Sequence, residues 1–429
     1  MGLIPTKSYD DLLADGCEAL LAKGVSDLGT FAGGLNELGV QSPNGKRWTG
    51  VMVADELARL GLGEGANARA TIHPVIGRPF KPATAGSAGD LLRTGLLDLW
   101  YLVASANDVT DRPVAVKRLG RNLVLWRDDA GVVRALEDYC PHRGAPLSLG
   151  RAIEGRLSCA YHGFEIDAAG VIAAVPATPD CPLVGQQSVR VYPVREIAGG
   201  IYAYFSDKAG VVPPEPAIPE ELTSPEWSSF LFTTEWNCNW QIALDNRLDP
   251  IHGSFLHSGT FTLGYGRQDS QLTVTATAHG FTTERDNQRG VNIDWHEAEF
   301  RPGNIMWVRT DIPYPPSVGG GSFRINGHPT PIDDDATFVW FYRSRKISGW
   351  QRDLWRFLYL NRLERHASHV VEQDRVLLEA LSLEARTNEK LAQSDIAVGR
   401  MRRLLREEAE RQVAARTALP ELSVSASPQ

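Results

Sequence analysis

Residues 140–164 read CPHRGAPLSLGRAIEGRLSCAYHGF and place Cys140 two positions before His142 and Cys159 three before His162. Thiolates and imidazoles bind metal, and four of them in one short stretch suggest a held ion or cluster. Zinc is one taker, because two cysteines with two histidines form a common structural zinc set. Such sites usually open with two closely spaced cysteines, whereas each box here mixes one Cys with one His. The mixed pairing suits a two-iron cluster in which two cysteines hold one iron and two histidines the other. A cluster of that kind moves single electrons and does no bond chemistry itself, so a partner site is required.

Residues 236–257, WNCNWQIALDNRLDPIHGSFLH, gather Asp245, Asp249, His252 and His257. In a regular helix His257 would lie about 140° round from His252. This is not the i, i+4 pair of a zinc-protease helix. It suits a helix that ends or distorts, with the His257 ring swung back towards a metal. Two histidines and one carboxylate from elsewhere form the facial triad of non-haem Fe(II) sites, which leaves coordination positions open for O2. Taken alone, acids and histidines on a polar helix face are also what a solvated surface carries.

The boxes Cys140-Pro141-His142-Arg143-Gly144 and Cys159-Ala160-Tyr161-His162-Gly163-Phe164 resemble those of Rieske non-haem iron oxygenases. Respiratory-chain Rieske proteins carry an extra cysteine in each box, and the corresponding positions here are Ala145 and Tyr161. The downstream histidines, preceded by Asn239-Trp240, are similar to the iron segment of the phthalate-dioxygenase-like group. The resemblance implies that Cys140, His142, Cys159 and His162 hold a Rieske 2Fe-2S cluster. It implies that His252 and His257 bind a mononuclear Fe(II). The segment HVVEQDRVLLEAL resembles the family's acidic helix and makes Asp374 the third ligand, ahead of Glu372 and Glu379. His366 and His369 are expected nearby as surface or supporting groups. Asp249 becomes an acid that links His252 to His162 of the partner subunit, and Asp245 a further acid near the iron. The terminal helix EKLAQSDIAVGRMRRLLREE also matches the family, so the resemblance runs over about residues 98–412.

The same resemblance implies an α+β chain: an all-β Rieske domain, then a helix-grip catalytic domain of antiparallel sheet and long helices, with a small helical N-terminal extension. It implies the alpha subunit of an aromatic-ring-hydroxylating system, fed by an NAD(P)H-dependent reductase of flavin and ferredoxin type, with or without an intermediate ferredoxin. A homotrimer or hexamer is expected, because in the family electrons cross between neighbouring subunits. Oxidative O- or N-demethylation is the alternative chemistry. A Rieske electron carrier or redox sensor is the non-enzyme alternative, although neither needs the downstream ligands.

Several elements must position these groups. Residues 1–62 show helix-spaced apolar positions broken at Gly24 and Asn44-Gly45, and read as three short helices. Residues 23–62 are similar to a recombinase-type helix-turn-helix. The first 63 residues hold Lys7, Lys23, Lys46, Arg47 and Arg59 against eight carboxylates, so a packing or oligomer-contact role is expected rather than nucleic-acid binding. A Gly-, Ala- and Pro-rich linker follows over 63–97, then the cluster domain over 98–212 with hairpins at Asp128–Gly131 and Asp167–Gly170. The proline-rich run 211–225 marks the boundary to the catalytic domain (213–415), and 416–429 reads as a disordered tail. Trp295, His296, Phe300, Arg301, Trp307, Arg309, Trp340, Tyr342 and Arg343 are expected on the sheet that lines the substrate pocket. Aromatics with arginines suit an aromatic carboxylate.

The net charge of −8 argues against binding nucleic acid by bulk charge, and no apolar run approaches a membrane span. Five cysteines in a chain without a secretion-type start point to a reducing cytoplasm and no disulfide framework.

Overall fold

The computed structural model describes residues 7–61, 87–208, 210–260, 268–269, 271–286, 295–313 and 321–418. Three helices open the chain: α1 (Tyr9–Ala22), α2 (Leu28–Glu37) and α3 (Gly50–Gly61). Ser8 and Asp27 cap the first two by accepting from the backbone N–H groups of Asp11 and Thr30. Their apolar stripes meet in a core of Leu13, Cys17, Phe31, Leu35, Val53 and Leu57, which also takes in Leu354, Phe357 and Leu358 from a later helix. Gly61 lies so close to that helix that a Cβ would come within 2.8 Å of the Asp353 carbonyl. The extension is therefore a packed part of the fold.

Most of the expected linker, 63–86 of 63–97, lies outside the described residues. Its last part is not extended. Ser87 and Asp90 form a capping box that starts α4 (Ala88–Thr94), and Leu91 is buried. The carbonyls of Leu92 and Arg93 then accept from Trp240 Nε1 and Asn239 Nδ2.

Residues 99–205 form three antiparallel sheets. The two expected hairpins are present. Arg121–Arg127 pairs with Val133–Glu137, and Glu165–Ile166 with Ile172–Ala174. Asp128 and Asp167 each accept two backbone N–H groups across their turn, and Gly131 and Gly170 supply the positive φ (both +76°) that closes it. The strand Leu99–Ser105 is buried along its whole length because both faces are covered. Leu99, Tyr101 and Val103 face a core shared with later helices, while Trp100 and Leu102 face Trp307, Trp340 and Tyr342. That alternation joins the two halves of the chain.

The second half is an eight-stranded antiparallel sheet, running from Trp227–Trp236 through Thr337–Lys346 to Leu272–Thr277. Helices α5 (Trp240–Leu248) and α6 (His252–Leu256) connect its first strands. After the sheet come α7 (Gly349–Leu358), a π-helical segment Tyr359–Leu363 and α8 (Glu364–Leu378). After α8 the chain crosses two 3₁₀ turns and resumes as the long helix α9 (Ile396–Ala418). The α+β architecture follows from these two halves.

His328 is fully buried beside Tyr101 and Trp340, its ring centroid 6.0 Å and 5.2 Å from theirs. Burial pushes its imidazole down to about 3, so it is neutral in the fold. The unfolded chain takes up that proton below about pH 6.5, so the contribution is full above 6.5 and is lost as pH falls towards 3. At pH 5 this amounts to about 2 kcal/mol. The melting temperature of His328→Phe should fall less between pH 7 and pH 5 than that of the wild type; parallel curves would exclude the assignment.

Candidate metal centres

The two boxes form matching loops. In the first, Cys140 N–H donates to the Ala145 carbonyl at 2.8 Å and Gly144 N–H returns to the Cys140 carbonyl at 2.9 Å. In the second, Cys159 N–H donates to Phe164 and Gly163 N–H to Cys159, both at 2.9 Å. Gly144 and Gly163 sit at φ +77° and +72°, where a side chain would be strained. Both cysteines are buried and both histidines are exposed, with imidazole centroids 4.6 Å apart. Phe164 stacks flat on His142 at 4.6 Å, and Tyr161 covers His162 at 3.9 Å. Burial, together with the neighbouring Cys159, pushes the Cys140 thiol up to about 11.

The two thiols lie together on the buried side and the two imidazoles together on the exposed side, a division that suits two metal atoms with different donors rather than one ion. A cluster with its cysteine iron inside and its histidine iron outside fits them. None of the five cysteines is joined to another by a disulfide.

The second set is His252, His257 and Asp374, whose ligand atoms all lie within 4.8 Å of one another. Asn239 caps α5, which stops at Leu248, and Pro250 turns the chain into the short α6. His252 opens α6 and His257 is its C-cap, so the five-residue spacing no longer separates the rings by a regular helix angle. His252 Nδ1 is 2.6 Å from the Asp249 carbonyl and His257 Nδ1 is 3.0 Å from Gln373 Oε1. Both acceptors require Nδ1–H, which leaves the Nε2 lone pairs free. Those Nε2 atoms are 3.6 Å and 3.2 Å from Asp374 Oδ1. Donors on adjacent sites of one ion are about 3 Å apart, so the three residues fit a divalent iron held on one face. Burial opposes charge on His257, but Asp374 and Gln373 outweigh it and raise its pKa. The field that favours a proton there equally favours a cation.

Asp249 lies beside this set but differs in detail from expectation. Its carboxylate accepts from the N–H groups of Ile251 and His252, while its Oδ2 stays 3.9 Å from His252 Nδ1. Its carbonyl, rather than its carboxylate, orients the ring. Asp245, expected as a further acid near the iron, is not part of the cavity lining and binds Arg386 and Arg402. Glu372 and Glu379 pair with Arg375. His366 and His369 are exposed, yet both line the same cavity as the metal set.

That cavity has a volume of about 550 Å³. Of the expected lining residues, His296, Trp340 and Arg343 face it. Phe300, Trp307 and Tyr342 belong to the cores, and Arg301 and Arg309 pair with Glu299 and Glu297. The side chain of Trp295 lies outside the described residues. Three contributors carry no sequence signal: Asn246, which donates to Asp374 at 3.2 Å, Gln373, and Arg247. Each is an ordinary helix residue until the tertiary fold aims it.

Family models match the chain as a Rieske [2Fe-2S] domain over residues 99–193, a vanillate O-demethylase oxygenase C-terminal domain over 236–411, and a recombinase-like helix-turn-helix domain over 4–62. The vanillate O-demethylase oxygenase subunit of a Pseudomonas species is 31% identical over 38% of this chain and 45% of its own. The 5,5'-dehydrodivanillate O-demethylase oxygenase subunit of a Sphingobium species is 26% identical over 73% of this chain and 75% of its own. The chain spans less than half the length of the first curated relatives it matches. Dicamba monooxygenase bound to dicamba shares the fold, with a TM-score of 0.59 at 22% identity over 75% of this chain and 99% of that one.

Replacing Asp374 with Ala removes the one carboxylate of the second set and leaves the loops untouched. Iron should fall from about three to about two per chain while the visible absorption of the cluster persists, the reverse of Cys159→Ser; equal losses in both variants would show that the sets are not independent. The two donor sets sit inside the two matched domains, the loops of Cys140 and Cys159 within the Rieske [2Fe-2S] match and His252, His257 and Asp374 within the vanillate O-demethylase oxygenase C-terminal match.

Proposed function

We propose that this chain is a terminal oxygenase component. It takes electrons through the Rieske cluster to a mononuclear Fe(II) held by His252, His257 and Asp374, and uses O2 to mono- or dihydroxylate an aromatic substrate bearing a carboxylate. The observation that carries this reading is the presence of two differently built donor sets in one chain, the second opening on a large cavity. When bound, the cluster and the iron supply O2 with electrons one at a time.

The residues divide the remaining work. The exposed imidazoles of His142 and His162 present the cluster loops to an approaching redox surface. The Asp249 carbonyl and Gln373 fix the tautomers of the iron ligands, and Asn246 steadies the carboxylate between them. The apolar cavity wall, including Ile312, Phe323, Ile325 and Val339, takes the ring and excludes water.

Oxidative O- or N-demethylation is the second reading, favoured by the match to a vanillate O-demethylase oxygenase domain. It needs the same site with a methoxy or methylamino group, rather than a ring carbon, turned to the iron. The partners of either reaction are an NAD(P)H-dependent reductase, with or without a ferredoxin, and further copies of this chain in a trimer or hexamer. The setting proposed is the cytoplasm; no helix among the described residues is long and apolar enough to cross a membrane.

The test is NAD(P)H and O2 consumption, coupled to a reductase, across a panel of benzoates and methoxybenzoates. Product masses separate added oxygen from a lost methyl group. Stimulated uptake with some acid is expected, and none from any acid in iron-replete protein would sink the reading.

Asp249→Ala keeps the backbone carbonyl that orients His252 and loses the carboxylate's bonds from the Ile251 and His252 N–H groups, worth about 1 kcal/mol. Both metals should remain, while substrate-dependent O2 uptake falls at least tenfold, as expected if the carboxylate couples His252 to His162 of the partner subunit. Normal turnover at full iron content would remove that role.

A further inference from the structure

The cavity contains a charged group that its own fold leaves unanswered. We propose that Arg247 selects the substrate by binding its carboxylate, an inference that rests on the oxygenase reading of this cavity.

Arg247 projects from the last turn of α5 into the cavity wall. Its Nε is sealed from solvent and has no hydrogen-bond partner among the described residues, and one Nη reaches only Thr310 Oγ1, at 3.5 Å. Desolvation pushes its pKa down to about 10, which still leaves it charged at neutral pH. Withholding water from a guanidinium without a paired carboxylate is costly, and folds usually avoid it. The other arginine on the cavity shows the usual solution: Arg343 is tied to Glu364 at 2.9 Å and to Tyr359.

Among the described residues, no group on the cavity remains to balance Arg247. Asp374 acts on it through space but is directed at His252, His257 and Asn246. With a divalent ion bound, Asp249 and Asp374 cancel the ion's charge, and Glu364 cancels Arg343. His296, the nearby imidazole, is pushed down to about 3 by burial and by Arg247 itself, and adds no charge. The guanidinium is left as the uncompensated charge of the site.

The surroundings define what fits. The Phe341 ring centroid is 5.7 Å from the guanidinium carbon, within reach of a cation–π contact. A planar fork of N–H donors matches a carboxylate better than any neutral group. The apolar residues Ile312, Phe323, Ile325 and Val339 line the same cavity. A flat acid with an apolar body answers both features.

The experiment measures dissociation constants without O2, on iron-loaded protein, for a panel of substituted benzoates and the matching benzamides. The wild type should prefer acids over amides by roughly 10- to 100-fold, the range for a hydrogen bond to a charged group. Arg247→Met should lose that preference while amide binding changes by less than about threefold, the acid-specific pair alone having been removed. Arg247→Lys should keep part of it, because the charge remains and the fork is gone. No acid preference in the wild type, or an undiminished one in Arg247→Met, overturns the proposal. If Arg247→Met loses iron, Arg247→Lys at full iron content decides, and an unchanged acid constant there counts against the role. The two readings fail differently. Absence of O2 uptake with every compound defeats the oxygenase reading while the binding contrast still reports on Arg247. Uptake that is equally strong with acids and amides defeats Arg247 alone.

Discussion

Three donor atoms meeting at one point constrain the rest of this structure. His252, His257 and Asp374 come from segments more than a hundred positions apart, and their ligand atoms lie within 4.8 Å of one another. Bringing two imidazoles to a carboxylate in a half-dry cavity is favourable only if each is held by a further hydrogen bond. The Asp249 carbonyl, Gln373 and Asn246 supply those bonds, and each lies on or next to a helix that must be placed first. The break between α5 and α6 follows from this need. A regular helix through residue 257 would carry the two histidines apart, so it stops at Leu248 and turns at Pro250.

Placement of those helices depends on cores shared across the chain. The buried strand Leu99–Ser105 has one face in a core with Trp240, Leu244 and Met401, and the other against Trp307 and Trp340. The half that carries the cluster loops and the half that carries the iron ligands are therefore one packing unit. Stiffness of this kind suits paired redox sites, whose relative position must not drift. The N-terminal helices extend the same principle. They pack on α7, and Arg362, within the π-helical segment before α8, donates to Asp11 and Asp15 of α1. A π segment inserts an extra residue per turn and rotates the next stretch of helix, here α8 with Asp374 on it. The segment matched by the recombinase-like helix-turn-helix model folds as three helices, and in this chain α3 turns its buried face to α7.

The arginines show where reading along the chain stops. Arg301, Arg309 and Arg343 looked like pocket residues because they sit among aromatics on strands. Two of them are paired to glutamates on their own or neighbouring strands, and the third to Glu364. Arg247 attracted no notice, since nothing in a helical spacing distinguishes a residue aimed at a cavity from one aimed at water. Asp245 illustrates the opposite case. The resemblance placed it near the iron, and in the fold its carboxylate is taken by Arg386 and Arg402.

The candidate donor groups were legible in the sequence because metal chemistry depends on local groups: Cys140, His142, Cys159, His162, His252 and His257 stand in two short stretches whose residue types have few other uses. The hairpins were legible for the same reason, as Asp128–Gly131 and Asp167–Gly170 carry their turn chemistry with them. Asp374 needed a resemblance as well, being one acid among several on α8. The tertiary structure alone decided which Nε2 atoms face which oxygen, which acid supports the ligands and which only ties helices together, and which cavity guanidinium has no carboxylate partner among the described residues. These are relations between residues far apart in the chain, set by how cores close and how charges find partners, and neither process leaves a periodic trace in the order of amino acids.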